Sequence, residues 1–191
     1  SDEWMTTLLE ALDAGYDIAS GLHNRLSLLP RLTKRAEANN CRLFDVRYPE
    51  IDLAVAGGQP RSGRRLLTVG TDCSCGKMFS ALAIEREMRE RGMPADFRAT
   101  GQTGILIAGS GISVDAVVAD FISGAVEWLA PAASTDHWDI IEGQGSLFHA
   151  SYAGVCLGLL HGAQADALVM CHEPTRRHMR GLPDAALPSL S

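Results

Sequence analysis

The 191-residue chain has no apolar run approaching the roughly 18 residues that a membrane span requires. Its first seven residues have neither the basic stretch nor the cleavage signal of a secretory peptide. No membrane partner is therefore expected, and the expected location is cytoplasmic. An excess of positive charge is missing as well. The net charge is −6, which argues against a general affinity for nucleic acid. Nor is there a disulfide framework or a pair of CxxC knuckles. The five cysteines, Cys41, Cys73, Cys75, Cys156 and Cys171, are odd in number and lack bridge-like spacing. They read as reduced thiols. Cys171, His172 and His178 match no zinc-ligand pattern, so no resident metal is expected. Repeats and low-complexity tracts are absent too.

What is present suits a soluble globular fold: 46% of residues are apolar and 21% charged. A chain of this length buries about 70% of its unfolded surface and needs no disulfide staple. The 19 glycines invite a search for phosphate-binding turns. The first element reads as an amphipathic helix over residues 4–19, interrupted near Gly15, and helix continues over residues 20–40 around Pro30. A short strand follows at residues 41–47. Residues 56–63 have linker composition, placing a domain boundary between 58 and 59.

Beyond that boundary, strands at 65–69, 95–99, 138–141 and 167–171 alternate with helices at 77–91, 114–129 and 151–161. Gly92 stops the first of these helices. Residues 101–111 read as a glycine-rich loop. The alternation predicts an α/β fold with a mostly parallel sheet and crossover helices.

The strongest motif is strand, Gly70-Thr71-Asp72-Cys73-Ser74-Cys75-Gly76-Lys77, then helix. Such a loop turns backbone N–H groups inward, aims a helix N-terminus at the same point and adds a lysine charge. It is one residue longer than the common phosphate loop. Met78 and Phe79 stand where the magnesium-binding hydroxyl belongs. That favours a ligand whose phosphates are anchored rather than transferred, such as coenzyme A, and leaves Mg²⁺ open.

Strand ends of a parallel sheet line the ligand crevice. Gly70, Ala99 and Glu142 therefore converge. Glu142 is a candidate catalytic carboxylate, with Gly143 and Gln144 beside it for close approach of a substrate. Asp72 would repel phosphate unless it faced a metal or a substrate ammonium, which makes it a second candidate. His149, His172 and Glu173 are acid–base candidates by type. Thr100, Gln102, Thr103 and Gly104 offer donors and small residues for a second ligand portion. Arg98, Arg176 and Arg177 are available forks for carboxylates. The plain alternatives are a structural turn with a surface lysine, a helix cap at Glu142, and histidines that serve the core.

These motifs together resemble a known group. Gly70-Thr71-Asp72 to Gly76-Lys77, with Glu142-Gly143 after a later strand, is similar to the dethiobiotin synthetase-like branch of P-loop proteins. More closely, GTDCSCGKM, ATGQTGILIAG, DFISGAVEWL, IEGQGSLFHASYAGVCLGLLHG and ADALVMCHEP resemble a family long filed as a domain of unknown function. Its characterised members are D-glutamate N-acetyltransferases. The resemblance runs from about residue 8 to residue 188.

It implies a P-loop NTPase-like three-layer domain at 59–191, preceded by the remainder of a Rossmann-like domain at 1–58. The family's members are longer, so the chain reads as the middle of a larger protein, truncated at its C-terminus. The resemblance implies acetyl transfer from acetyl-CoA, as co-substrate, to the amino group of D-glutamate or a related D-amino acid. Residues 70–78, ending at Met78, would hold the donor. Glu142, Asp72 or His149 would serve catalysis. Thr100, Gln102, Thr103, Gly104, Gly143, Gln144, His172 and Glu173 would meet the substrate. The resemblance also implies a homo-oligomer and a functional link to an enolase-superfamily racemase acting on the N-acetylated product. An ATP-dependent ligase or kinase and a non-catalytic nucleotide-binding module are the alternatives.

Overall fold

The computed structural model describes residues 2–49 and 51–189. The chain divides into two compact units, Ser1–Glu50 and Ile51–Ser191.

The first unit contains α1 (Asp2–Asp13), β1 (Ile18–Ser20), α2 (Pro30–Ala38) and β2 (Leu43–Asp45). β1 and β2 pair in parallel, with Ile18 opposite Leu43. Leu12, Leu26, Leu32 and Ala36 form its buried core. The expected helix over 20–40 is shorter than the periodicity implied. Proline lacks an N–H and fits only the first helical turn, so Pro30 opens α2 instead of lying within it. The segment before it holds a single 3₁₀ turn, Leu26–Leu28. Asp45 fastens that turn, accepting from Leu26 N at 2.7 Å and from Ser27 N at 3.0 Å.

The second unit contains β3 (Arg64–Gly70), α3 (Lys77–Glu90), β4 (Ala95–Arg98), α4 (Gln102–Ala108), α5 (Ala119–Leu129), β5 (Trp138–Ile141), α6 (Ala153–Ala163) and β6 (Ala167–Cys171). A short antiparallel hairpin, β7 (His178–Met179) and β8 (Leu182–Ala186), follows. The sheet runs β4-β5-β3-β6 with every pair parallel.

Strand alternation sorts the side chains into two cores. Leu66 and Ile140 pack with Ala81, Ile84 and Met88 of α3. Leu67, Val69 and Ile141 pack with Ile122, Val126 and Leu159 of α5 and α6. The result is three layers, as the family resemblance implied, around the parallel sheet that the alternation of elements predicted. Residues 56–63 have no regular structure and lie within this unit. Glu127 of α5 accepts from Gly57 N at 2.7 Å and Gly58 N at 2.9 Å.

Two expectations within this second unit need correction. The glycine-rich stretch after β4 is helical as α4, because Gly101 is its extended cap and Gly109 closes it in the left-handed region, at φ +76°. The helix over 114–129 splits into a 3₁₀ turn, Val114–Ala116, and α5, with extended backbone at Val117 and Val118 between them. Among the described residues, no helix is long and apolar enough to cross a membrane.

Candidate functional site

The carboxyl ends of β3, β4, β5 and β6 present Gly70, Thr100, Glu142 and His172 along one edge of the sheet. At the end of β3 the chain turns through residues 71–76 into the 14-residue α3. Gly76 takes φ +102°, a conformation that costs a residue with Cβ, and so directs the chain into the helix. The N–H groups of Ser74, Cys75 and Gly76 have no acceptor among the described residues. With the open first turn of α3, they make a cradle for an anion.

Lys77 is buried inside that cradle and donates to the carbonyl oxygen of Asp72 at 2.8 Å. The thiol of Cys75 donates to the same oxygen at 3.1 Å. The half-buried Cys73 thiol is pushed above its ordinary pKa, chiefly by burial. Ser74 is exposed and Met78 half-buried. Met78 offers no oxygen to Mg²⁺ at the position where the common loop has a hydroxyl.

Glu142 is the buried carboxylate at the centre of the edge, with 3% of its surface exposed. Its Oε2 accepts from Thr100 N at 2.9 Å and Gly101 N at 3.1 Å. Its Oε1 accepts from Gln144 Nε2 at 3.1 Å. Three of the roughly four lone-pair directions of a carboxylate are filled, leaving one on Oε1. Burial raises its pKa, against the lowering effect of these donors and of the Lys77 charge.

Thr100 also donates its hydroxyl to the Glu142 carbonyl at 2.6 Å, and so joins β4 to β5. Gly143 N donates to Thr68 Oγ1 at 2.9 Å, which sets the chain after β5 against β3. Gly104 packs against the Glu142 carboxylate. Gln102 is half-buried and Thr103 exposed on the first turn of α4.

Asp72 plays a different part. Its Oδ1 accepts from Cys73 N at 2.7 Å, and its Oδ2 from Arg176 Nη1 at 2.6 Å and Arg180 N at 2.8 Å. Burial pushes its pKa up, but Arg176 and the two backbone donors outweigh it and the net shift is downward. Arg176 also donates to Cys73 O at 2.7 Å and Ser74 O at 3.1 Å. Asp72 thus fastens the hairpin segment to the phosphate loop.

His149 is likewise committed. Its Nε2 lies 3.0 Å from Arg180 O, and its Nδ1 accepts from Ser151 N at 3.2 Å. Both ring nitrogens are occupied by backbone partners. Asp72, Cys73 and His149 bring ligand-type atoms within 4.8 Å of one another. A cation there would displace the hydrogen bonds of Asp72 and His149 and stand beside Arg176.

His172 does reach the loop: its Nδ1 lies 3.0 Å from Thr71 Oγ1. Glu173 turns away, accepting from Thr175 N at 3.0 Å and Thr175 Oγ1 at 2.6 Å, which lowers its pKa. Arg98 donates to Asp139 at 2.6 Å and is not free for a ligand. A cleft of about 390 Å³ opens beside the loop, lined by His172, Pro174, Arg176, Arg177, Leu187 and Pro188.

Comparison with known proteins gives this arrangement a family. The description of a P-loop domain of unknown function, DUF1611, matches residues 54–191. Its Rossmann-like N-terminal companion matches residues 1–49. The chain belongs to the DUF1611 family. A DUF1611 crystal structure from Anabaena variabilis superposes with a TM-score of 0.93 at 36% identity, covering 100% of this chain and 56% of that one. Two curated relatives are named D-glutamate N-acetyltransferase. The one from Tritonibacter scottomollicae is 58% identical over 100% of this chain and 57% of its own length. The one from a Pseudoalteromonas species is 53% identical over 98% of this chain and 57% of its own length. The chain therefore spans a little over half the length of these relatives.

The DUF1611 site depends on the Asp72–Arg176 pair for its shape, and that dependence is measurable. Asp72→Asn is expected to cost about 3 kcal/mol at pH 7, because the Arg176 charge loses its partner. The sign with pH follows from the lowered pKa. The carboxylate's contribution is complete above the unfolded value near 4 and disappears as pH falls through the folded value. Denaturant titrations of both proteins should therefore converge on acidification. A gap that is constant with pH would show that Asp72 is not the titrating anchor.

Proposed function

We propose that the protein containing this chain is an N-acetyltransferase, with acetyl-CoA as donor and D-glutamate or a related D-amino acid as acceptor. The observation that carries the reading is the pairing of an anion cradle that lacks a magnesium-binding hydroxyl with a buried carboxylate beside it. The names of the two curated relatives point the same way. In this reading the loop amides and Lys77 hold the donor's pyrophosphate. Lys77 exchanges the Asp72 carbonyl for a phosphate oxygen.

The acceptor's ammonium loses one proton to solvent. Its nitrogen attacks the thioester carbonyl carbon, and Oε1 of Glu142 takes the second proton, directly or through a water, as the C–N bond forms. The C–S bond then breaks, and the proton passes to the departing thiolate. Glu142 fits this role better than Asp72. Their surroundings push the two carboxyls in opposite directions, and the raised one is the stronger base. Thr100 and Gln144 position Glu142, and Gly143 and Gly104 leave room around it. The N-acetylated product would pass to a racemase of the enolase superfamily.

The deciding experiment is thiol release from acetyl-CoA by the full-length protein that contains this chain, over a panel of D- and L-amino acids. Release with D-glutamate supports the reading, and silence across the panel sinks it. Lys77→Met should weaken coenzyme A binding 10- to 100-fold by calorimetry, the loss of about 1.5–3 kcal/mol of charge-assisted hydrogen bonding.

A further inference from the structure

The cleft beside the phosphate loop contains cationic groups that the chemistry above leaves unused. We propose that it holds the ribose 3′-phosphate of coenzyme A, with Arg177 as the residue that selects the 3′-phosphorylated donor. The inference rests on coenzyme A being the donor.

Position is the first argument. The cleft shares a wall with the anion cradle, since His172 meets Thr71 at 3.0 Å and Arg176 donates to Cys73 O and Ser74 O. In coenzyme A the 3′-phosphate is one sugar ring away from the pyrophosphate. A second anion site adjoining the first is what that covalent geometry demands.

Charge is the second. Arg176 is neutralised by Asp72 at 2.6 Å. The Arg177 guanidinium has no side-chain or carbonyl partner among the described residues, although its own carbonyl accepts from Leu187 N at 3.1 Å. His172 uses Nδ1 toward Thr71 and keeps Nε2. The nearby carboxylate, Glu173, is occupied by Thr175. The cleft thus offers an unpaired fork and a ring nitrogen to a dianion.

Shape is the third. The volume of about 390 Å³ exceeds what a lone phosphate fills, and Leu187 and Pro188 give the remainder an apolar wall. Sites of this size and mixed lining suit a ribose with its base.

Calorimetry on the full-length protein that contains this chain, with coenzyme A, dephospho-coenzyme A and adenosine 3′,5′-bisphosphate, tests the proposal. The wild-type protein should bind coenzyme A at least tenfold tighter than its dephospho form, and the bisphosphate should compete. Arg177→Gln alters an exposed side chain and should leave the melting temperature unchanged. It should weaken coenzyme A about tenfold or more, leave dephospho-coenzyme A within twofold, and abolish competition by the bisphosphate. Equal losses for both cofactors, or no loss for either, would overturn the subsite while leaving the donor reading intact. So would a rise in KM for D-glutamate with coenzyme A affinity unchanged. A wild-type protein that binds neither form of the cofactor overturns the donor reading and the subsite together.

Discussion

Glu142→Gln is expected to lower kcat for acetyl transfer at least 100-fold, with coenzyme A affinity and thermal stability close to wild type. The substitution keeps the shape of the side chain. A glutamine oxygen still accepts from Thr100 N and Gly101 N, and Gln144 meets the new amide by rotating its own oxygen inward. What disappears is the ability to take a proton. General-base catalysis contributes about 10²- to 10⁴-fold, and that loss falls on kcat and not on donor binding.

Stability supplies an independent check. Burial raises the Glu142 pKa, so between its unfolded and folded values the native state binds more protons than the unfolded one. Stability contributed by the protonated form is complete below the unfolded value near 4.3 and is lost as pH rises through the folded value. The glutamine variant lacks this decline. It should match or exceed the wild type in denaturant midpoint at pH 7. A variant with undiminished kcat would remove Glu142 from the reaction. One with normal kcat per folded molecule but a lowered midpoint would make it a structural tie between β4 and β5 only.

The parts of this site read correctly from sequence are those with local causes. The apolar run of β3, the glycine–lysine turn and the amphipathic α3 are contiguous, and backbone propensity with side-chain periodicity identifies all three. The convergence of Gly70 with Ala99 and Glu142, the residues just past β4 and β5, follows because a parallel sheet aligns its carboxyl ends. α4 was hidden by its glycines, which read as a loop. In fact Gly104 lies within the helix, and Gly101 and Gly109 cap it. The hairpin was hidden because β7 has only two residues and β8, Leu182–Ala186, carries Pro183 and Asp184, which are poor strand formers.

The role of Asp72 was out of reach for a different reason. Its main partner is 104 residues away, and the pairing exists only once β6 has delivered the chain back to the loop. The same holds for His149, whose acceptor is 31 residues distant. Residue type marked both as chemistry-bearing. Only the tertiary contacts show that they hold the hairpin in place and leave Glu142 as the carboxyl with raised pKa.

Gly143→Ala is expected to destabilise the second unit by more than about 4 kcal/mol, the range reserved for direct steric or burial failures. A methyl group built on Gly143 overlaps the carbonyl oxygen of Thr68 and comes within 3.0 Å of Lys77 Cδ. Neither obstacle yields cheaply. The carbonyl belongs to β3, which is held on one side by β5 and on the other by β6. Moving it would strain the pairing of Leu67 with Ile141 and break the hydrogen bond from Gly143 N to Thr68 Oγ1. Pushing the lysine instead would displace Nζ from the cradle. Against a total stability of roughly 5–15 kcal/mol, such a loss removes about a quarter or more of what holds the fold together.

Gly154→Ala is the control. It lies in the first turn of α6, and an added Cβ there meets nothing within 4 Å. Replacing glycine with alanine in a helix should stabilise by about 0.5–1 kcal/mol. Thermal melts of the two variants beside the wild type should therefore shift in opposite directions. A Gly143→Ala protein melting within a few degrees of wild type would mean that the chain after β5 yields. Glu142 would then no longer be fixed beside the phosphate loop by backbone contact, and its position in the proposed reaction would lose its support.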